Sequence, residues 1–522
     1  MLKDLKRHSI GIGIFLVSFI TGLYAFEDFG IAWDEPAQQM TGQVTYDYVF
    51  KGDQSYKTYI NRDYGVAFQF PLIMLEKVLG LQDSRDIYNM RKLATHLFFL
   101  FSAFVFYLLN YYVYKRRSLA IAGYLLLIIT PRIFGQSFCN SKDIPFMSMF
   151  IICFFLCAIA FRTEKIRYFL IFGACTGLLM SIRVMGVLLL VLVILMLLVD
   201  IIWGKAKKKT IINFLCYLFS CLAVLIITWP YLWENPVENF MTAFSNMSKF
   251  RWDGTILMFG DMVRSTNISW TYVPEWFGLT IPIPYLIFGL TGMIFFVFNF
   301  FRQPARFLMN TMERNHCLSI TFFLGPVLSV IILHSVLYDG WRQLYFIYPP
   351  FILLAVYGLS CLLKSKTGMG NLLSPAVGLV LFFSVLSTAT LMIRNHPFED
   401  IYFNALLPTN EQYLRKSFEL DYWGTSYKQA LEYIVSHDTS EKITINVANW
   451  PGNVNRMILK EKDRNRIRFV DEVQEASYFI SNYRFHPEHY SYPPEQKIFT
   501  IKVMNSDICS VWKLINHYEN EK

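Results

Sequence analysis

Two adjacent carboxylates, Asp34 and Glu35, are the first side chains along the sequence that could do chemistry. They belong to the run Trp33-Asp34-Glu35-Pro36, which follows an apolar segment that starts near residue 9. Because ionised carboxylates are costly to desolvate at a membrane, such a pair either faces water without a function or lines a polar cavity. The further polar motifs of the chain favour the cavity.

A third carboxylate stands in the run Asn140-Ser141-Lys142-Asp143-Ile144-Pro145-Phe146, at the start of another apolar segment. A Lys-Asp pair followed by proline fits a helix start, since proline is tolerated there and a carboxylate interacts well with the helix dipole. Capping alone would explain the motif. It nevertheless brings Asp143 and the cationic Lys142 to the face that we predict for Asp34.

Arg183 interrupts the apolar stretch LLMSIRVMGVLLL. A charge in such surroundings is expensive unless it is paired. The sequence leaves two explanations open, which are a structural salt bridge and a contact with a bound phosphate.

A fourth polar motif runs from His334 to Tyr345 and contains Asp339 and Arg342. A guanidinium can hold phosphate in a bidentate manner, and aromatic side chains suit both membrane interfaces and sugar stacking. An aromatic belt would explain Tyr345 but neither charged residue. We therefore predict that Arg342 contacts phosphate and that His334, Asp339 and Tyr345 contact substrate.

The composition indicates what must position these residues. Of 522 residues, 54% are hydrophobic and only 17% are charged, where a soluble domain carries about 25%. The net charge of +9 comes from short basic clusters between apolar runs, which argues against nucleic acid as a partner. We expect a membrane protein in contact with lipids.

Eleven apolar segments have about the length of membrane spans, and they start near residues 9, 93, 118, 144, 168, 186, 211, 283, 317, 345 and 372. Basic clusters follow every second segment. By the positive-inside rule these clusters are cytoplasmic, so the N-terminus lies inside and the chain after the eleventh span lies outside. The clusters are Lys3/Lys6/Arg7, Lys115/Arg116/Arg117, Arg162/Lys165/Arg167, Lys205/Lys207/Lys208/Lys209, Arg302/Arg306/Arg314 and Lys364/Lys366.

The charge density divides the chain into two domains, residues 1–393 and 394–522. In the second, 34 of 129 residues are charged, as in a soluble domain, whereas the first carries about half that density. Strand-like runs follow a helix-like stretch from Tyr427 to Val435, and KIFTIKV is predicted as the last strand. We expect a polytopic α-helical domain with a long outer loop, 27–91, formed by short amphipathic helices or a small folded cap, and a small extracytoplasmic α/β domain.

The polar motifs resemble those of the GT-C superfamily of integral-membrane glycosyltransferases, in the group of protein O-mannosyltransferases and aminoarabinose transferases. The resemblance rests on Asp34 and Glu35 after the first span, on the run Asp143 to Phe146, and on the outward placement of the polar motifs, and it covers about residues 1–395. NHPFEDIYFNAL and FELDYWGTSY also look like strings of bacterial members with an external C-terminal domain. A loop that often reads His-Pro-Pro in relatives reads Asp63-Tyr64-Gly65-Val66 here.

The resemblance implies a donor sugar on a polyprenyl phosphate and an acceptor hydroxyl on a lipid, glycan or protein at the outer face. Asp34 would be the general base, and Glu35 or Asp143 would orient the acceptor or sugar hydroxyls. Attack on the anomeric carbon would invert it. If a divalent cation were used, these three carboxylates would be its ligands.

We favour a mechanism with no cofactor, because Lys142, Arg183 and Arg342 can stabilise the leaving phosphate without a metal. The expected location is the inner or plasma membrane. The alternatives are a transporter or lipid-carrier flippase, and a scaffold whose outer domain binds a partner. The chain shows no inverted repeat typical of carriers, and a scaffold would leave Arg183 and the acidic pair unexplained.

Overall fold

The computed structural model of the chain describes residues 2–204, 208–248, 250, 252–363, 370–408, 410 and 412–514. Four lysines of the predicted cytoplasmic clusters, Lys205, Lys207, Lys364 and Lys366, lie outside these ranges.

Helices make up most of the structure. In chain order they are α1 (Leu2–Ala25), α2 (Glu35–Lys51), α3 (Gln69–Val78), α4 (Ser84–Tyr114), α5 (Arg117–Ile128), α6 (Pro131–Cys139), α7 (Asp143–Thr163), α8 (Ile166–Ile182), α9 (Val187–Ile202), α10 (Lys208–Thr228), α11 (Pro236–Ser248), α12 (Tyr272–Thr280), α13 (Ile283–Arg302), α14 (Pro304–Met309), α15 (Arg314–Ile332), α16 (Tyr348–Leu362), α17 (Gly370–Asn395), α18 (Tyr413–Ser417), α19 (Tyr427–His437), α20 (Trp450–Asn455) and α21 (Glu461–Arg464).

Nine helices in the described part of the chain are long and apolar enough to cross a membrane. The chain is therefore a multi-pass membrane protein. A tenth span results if α5 and α6, which are bent by 61° at the break before Pro131, count as one. All eleven predicted segments are helical. The two that are not counted alone among the nine are short, because α5 has 12 residues and α8 has 17.

The predicted long loop contains two helices, α2 and α3. The helix α4 already begins at Ser84, seven residues before the predicted end of the loop at Arg91. The side chain of Asp83 caps this helix by accepting the backbone N–H of Arg85. The charged first turns of α4 looked like a loop in the sequence, but Arg91 is buried and paired with Glu76 at 2.7 Å.

Strands occur in two places. A hairpin is formed by β1 (Thr255–Met258) and β2 (Asp261–Arg264), and a C-terminal sheet by β3 (Ile443–Val447), β4 (Ile467–Phe469), β5 (Tyr478–Ser481), β6 (Lys497–Val503) and β7 (Ser506–Lys513). The sheet order is β4-β3-β5-β7-β6. Strand β3 is parallel to both neighbours, and β7 is antiparallel to both of its own.

The helix and the strand-like runs predicted for this region are confirmed as α19 and as β3 to β6, but β6, which corresponds to KIFTIKV, is not the last strand. Strand β7 follows it through a tight turn at Met504 and Asn505, which both have positive φ. The sequence SDICSVWK lacks the alternation of a half-exposed strand. The reason is that β7 lies between β5 and β6 with all residues but the last buried.

The C-terminal sheet region docks onto the segment between α1 and α2. The side chain of Asn455 donates to the carbonyl of Ile31 and accepts from its N–H. Gly30 is needed at this contact, because a Cβ there would lie 2.2 Å from the carbonyl oxygen of Thr425. This docking fixes the backbone directly before Asp34.

Candidate functional site

Carboxylates from three segments of the chain, one of them its own, meet at Arg342, which is buried at the start of the short 3₁₀ helix before α16. Its Nη1 lies 3.1 Å from Oδ2 of Asp143, and its Nη2 lies 3.1 Å from Oδ2 of Asp339. The same Nη2 is 3.5 Å from Oδ2 of Asp34. One guanidinium thus contacts three carboxylates.

Asp143 joins Arg342 to a second arginine. Its Oδ1 is ion-paired with Nη1 of Arg183, at the end of α8. Asn140 fixes the carboxylate from its own side, because the Asn140 amide donates to Oδ2 at 3.0 Å while its Oδ1 accepts the N–H of Asp143 at 2.8 Å. Asp143 is therefore fully engaged, and two guanidinium groups share its single negative charge.

Asp34 differs from the other two carboxylates in its access to solvent. Its side chain is 40% exposed, against 1% for Asp143 and 4% for Asp339. Asp34 lies directly before α2, and its side chain makes no capping hydrogen bond. The N–H of Trp33 donates to the carbonyl of Trp423 at 2.9 Å, which holds the backbone in place. Asp34 is thus positioned but open.

Glu35, although adjacent in sequence, is buried and turned to a different environment. Its Oε2 accepts the N–H of Ala32 at 2.7 Å. Burial raises the pKa of Glu35 to about 7, and the nearby charge of Lys92 opposes that rise. Glu35 supports the turn before α2 and does not line the cavity beside Asp34.

Lys142 lies on the cavity wall, with its ammonium 3.6 Å from the ring centroid of Tyr64. An aromatic face attracts a cation through its quadrupole. Burial lowers the pKa of Lys142, and the positive charge of Arg183 lowers it further. A bound anion would counteract both effects.

The cavity beside these residues has a volume of about 140 Å³ and two chemically different ends. Charged side chains line one end, namely those of Asp34, Lys142, Arg183 and Arg342. Apolar side chains from α9, α11 and α15 line most of the rest, including Val187, Leu188, Phe244, Met247 and Val330. Its walls would suit a ligand with an anionic head and an apolar body.

The two arginines have unused hydrogen-bonding capacity. Nε of Arg183 and Nε of Arg342 are buried and have no hydrogen-bond partner among the described residues. Buried donors in proteins are normally satisfied, so such exceptions require an explanation. A ligand or ordered water in the site would supply one.

Two of the predicted substrate contacts are not brought to the cavity. His334 is exposed at the end of α15 and does not line it. Tyr345 is buried against Trp341, with ring centroids 4.7 Å apart, and does not line it either. Asp339 lies in the charged cluster but is enclosed by arginines, since Arg484 contacts its Oδ1 at 2.9 Å.

The three carboxylates named as alternative metal ligands do not form a ligand set. No cluster of three or more His, Cys, Asp or Glu side chains suited to a metal occurs in the described ranges. Both oxygens of Asp143 face arginines, and Glu35 accepts a backbone hydrogen bond.

Sequence reasoning missed two residues of the cluster. The first is Trp423, whose indole lies over Arg342 with its ring centroid 4.6 Å from the guanidinium carbon. The ring centroid of Tyr338, a residue of the predicted fourth motif, lies 4.9 Å from the same carbon. Trp423 falls within FELDYWGTSY, a string that stood out only by resemblance. Arg484, the second missed residue, is an isolated arginine in a loop, and no local pattern distinguishes it.

Several solved structures are similar to this chain at low identity. The oligosaccharyltransferase of Archaeoglobus fulgidus has a TM-score of 0.45 and 10% identity, over 80% of this chain and 57% of that one. ArnT from Cupriavidus metallidurans bound to undecaprenyl phosphate has a TM-score of 0.48 and 12% identity, over 97% and 98%. Arabinofuranosyltransferase AftD from Mycobacteria has a TM-score of 0.38 and 11% identity, over 88% and 36%.

This chain thus spans little more than half of the archaeal enzyme but nearly all of ArnT. No protein-family model and no curated protein sequence matches it. Likeness at this level gives no residue-by-residue correspondence, so function has to be argued from the site itself.

Proposed function

We propose that this protein is a membrane glycosyltransferase that moves a sugar from a polyprenyl-phosphate donor to an acceptor hydroxyl on the extracytoplasmic face. The observation that carries the proposal is the two-ended cavity. It combines cations at one end with apolar walls along the rest, and a polyprenyl phosphate has the same two parts.

The donor phosphate is bound by Arg183, Arg342 and Lys142. Arg183 shares Asp143 with Arg342, which also contacts Asp34 and Asp339, so part of the positive charge of Arg183 remains available for another anion. Fixed cations in a site shielded from water stabilise the charge that grows on a leaving phosphate. These side chains supply that stabilisation without a metal, and we propose that none is required.

Asp34 is the general base. It is the most exposed carboxylate of the cluster, and it lies on the same cavity wall as the cations. Asp34 takes the proton of the acceptor hydroxyl, whose oxygen then forms a bond to the anomeric carbon. The bond from that carbon to the phosphate oxygen breaks, its electron pair stays with the phosphate, and the configuration at the carbon inverts.

Asp143 and Glu35 serve the reaction indirectly. Asp143 holds Arg183 and Arg342 together, and Glu35 stabilises the turn that presents Asp34. Neither lines the cavity, which argues against the direct contacts with sugar or acceptor hydroxyls that the sequence suggested. The acceptor is a hydroxyl of a lipid, a glycan or a protein.

The orientation follows from the basic clusters between alternate spans. The N-terminus is cytoplasmic, and the C-terminal sheet region lies outside the inner or plasma membrane. This places the cavity at the outer face, where lipid-linked sugars and envelope acceptors meet.

The test is sugar transfer by the purified full-length protein in lipid, with a panel of polyprenyl-phosphate sugars. We expect release of polyprenyl phosphate by the wild type, a loss of about 10²- to 10⁴-fold in Asp34→Asn with unchanged thermal unfolding, and no effect of a chelator. Asp47→Asn, which removes a carboxylate on the same helix outside the cavity, is the matched control.

Equal turnover by Asp34→Asn and the wild type would exclude Asp34 as the base. No turnover with any donor, together with donor movement across vesicle membranes, would favour a lipid-carrier flippase instead. Loss of activity with chelator, restored by a divalent cation, would contradict the metal-free mechanism.

A further inference from the structure

Arg484 connects the C-terminal sheet region to the charged cluster. It lies in the loop after β5, is buried, and contacts Oδ1 of Asp339 through Nη2 at 2.9 Å. The other oxygen of Asp339 contacts Arg342. Asp339 is therefore shared between an arginine of the sheet region and the arginine at the centre of the site.

Two further contacts of Arg484 are with residues that adjoin the charged cluster. Its guanidinium carbon lies 4.8 Å from the ring centroid of Trp33, the residue before Asp34. Its Nη1 donates to the carbonyl of Tyr422, the residue before Trp423. Besides Glu419, whose Oε1 lies 3.9 Å from its Nε, the guanidinium of Arg484 thus contacts Asp339 in the cluster and residues directly next to Asp34 and Trp423.

The backbone around this contact is held in an unusual conformation. Tyr483 and Phe485, on either side of Arg484, have φ values of 60° and 63°, and Asp339 has a φ of 56°. Positive φ is uncommon for residues with a side chain and persists only where surrounding structure enforces it. Asn482 contributes to this by accepting the N–H of Arg484 and donating to the carbonyl of Asp421.

The shared carboxylate has an electrostatic consequence. With Arg484 present, the charge of Asp339 is divided between two guanidinium groups. Without Arg484, Asp339 would pair with Arg342 alone and neutralise more of its charge. The positive charge that Arg342 can offer to a phosphate therefore depends on Arg484.

We propose that Arg484 is a positioning residue for sugar transfer, which acts through Asp339 to keep the guanidinium of Arg342 oriented and available to the donor phosphate. This inference rests on the proposed function. It assigns to the C-terminal sheet region a part in the reaction beyond fixing the backbone before Asp34.

The chain offers a matched control. Arg464, in α21, also belongs to the sheet region and forms an ion pair with Asp83 in front of α4. It therefore makes the same kind of contact between the two regions, but away from the cluster. Arg464→Gln tests docking in general, whereas Arg484→Gln tests docking and the arrangement of Arg342.

The experiment measures kcat, the KM for the donor, and inhibition by free polyprenyl phosphate in the full-length protein. We expect kcat in Arg484→Gln to fall about 10- to 100-fold, which is less than the loss of a side chain that contacts the phosphate directly would cause. We also expect inhibition by free polyprenyl phosphate to weaken. Arg464→Gln should match the wild type in all three. Arg484→Lys should recover part of kcat, because it restores the charge but not the forked geometry.

A double-mutant cycle with Asp339→Asn gives an independent measure. If Arg484 acts through Asp339, the effects of the two substitutions are not additive. Additive effects, or equal losses in Arg484→Gln and Arg464→Gln, would overturn the inference while leaving the proposed function intact. An inactive wild type would instead refute the proposed function. Should Arg484→Gln fail to fold, wild-type kinetics in a folded Arg484→Lys would overturn the inference.

Discussion

Two buried arginine–aspartate clusters lie far apart along the helical bundle and differ in how completely their charges are paired. One is the cluster around Arg342. The other joins Arg314, at the start of α15, to Asp200, near the end of α9. Because α9 begins just after Arg183, about 25 Å of helix separates Asp200 from the first cluster.

The distant pair is closed. Nη1 and Nη2 of Arg314 donate to the two oxygens of Asp200 at 3.1 and 2.6 Å, and Nε donates to the carbonyl of Leu308 at 3.0 Å. Every nitrogen of this guanidinium has a partner. In the cluster around Arg342, by contrast, Nε of Arg183 and Nε of Arg342 lack one among the described residues, and both side chains line a cavity.

The difference shows that a buried arginine in a membrane protein does not by itself indicate a binding site. Both clusters use the same residue types at the ends of apolar helices. The pair of Arg314 and Asp200 leaves no guanidinium nitrogen for a ligand, whereas arginines that keep unpartnered N–H groups beside a cavity can bind another anion.

The largest effect, on stability, should come from breaking the ion pair between Arg314 and Asp200. In Arg314→Gln the carboxylate of Asp200 would stay buried without its partner, which costs about 3–5 kcal/mol in the free energy of unfolding. We expect a large drop in the unfolding temperature in detergent but unchanged turnover per folded molecule. A stable variant with lost turnover would contradict the comparison.

The opposite pattern is expected at the site. Arg342→Gln should lower kcat by about 10²- to 10³-fold, because a fixed cation is lost where charge develops on the phosphate. Its stability should fall less than in Arg314→Gln, since Arg183 still pairs with Asp143 and Arg484 with Asp339. Donor kinetics and thermal unfolding of both variants, measured together, test this reversal.

A smaller effect is expected from narrowing the apolar end of the cavity. Val187→Phe places a larger side chain on the cavity wall and should raise the KM for the lipid donor about tenfold, equivalent to 1.4 kcal/mol, with little change in kcat. Val191→Phe, one turn further along α9 and exposed, is the control. Equal KM values in the two variants would show that the apolar wall does not contact the donor.

The smallest effect concerns the ion cluster around His396. Unlike the arginines of the other two clusters, this histidine changes its charge within the pH range of the experiment. His396 lies 2.7 Å from Oε1 of Glu399 and 2.9 Å from Oδ2 of Asp28. Burial alone would lower the pKa of His396, but the two carboxylates raise it from 6.5 to about 9. Since the folded-state pKa is the higher one, the stabilisation is complete below pH 6.5 and disappears as the pH rises through about 9.

We therefore expect the unfolding temperature of the wild type to fall between pH 6.5 and 9.5, and that fall to be smaller in His396→Gln. The variant serves as the reference for all other groups that titrate in this range. An identical pH dependence of the two proteins would show that His396 is not charged in the folded protein.

Much of the site could be predicted because its charged residues interrupt or flank apolar segments. Asp34, Lys142, Asp143, Arg183, Asp339 and Arg342 all stood out for this reason, and the fold brings them together. The position of the Glu35 side chain was harder to predict, because the side chains of adjacent residues at a helix start point about 100° apart. His334 was grouped with Arg342 by sequence distance, but it is exposed at the end of α15 and lies away from the cavity.

Trp423 and Arg484 could not be predicted in the same way. Both approach Arg342 or Asp339 from the sheet region, far away in the sequence, and neither belongs to a local pattern. Their places depend on how that region docks onto the turn before α2.

By itself the sequence determined that the chain crosses a membrane repeatedly, that a segment with the charge density of soluble proteins follows the apolar segments, and which charged side chains are too costly to leave unpaired. The apolar composition of a segment and the free-energy cost of burying a charge in it depend on that segment's own residues, so both can be judged for each segment alone. Only the tertiary structure decided that Arg314 is fully paired while Arg183 and Arg342 share Asp143. That distinction depends on distances of a few ångströms between segments remote in sequence, which packing sets and composition does not.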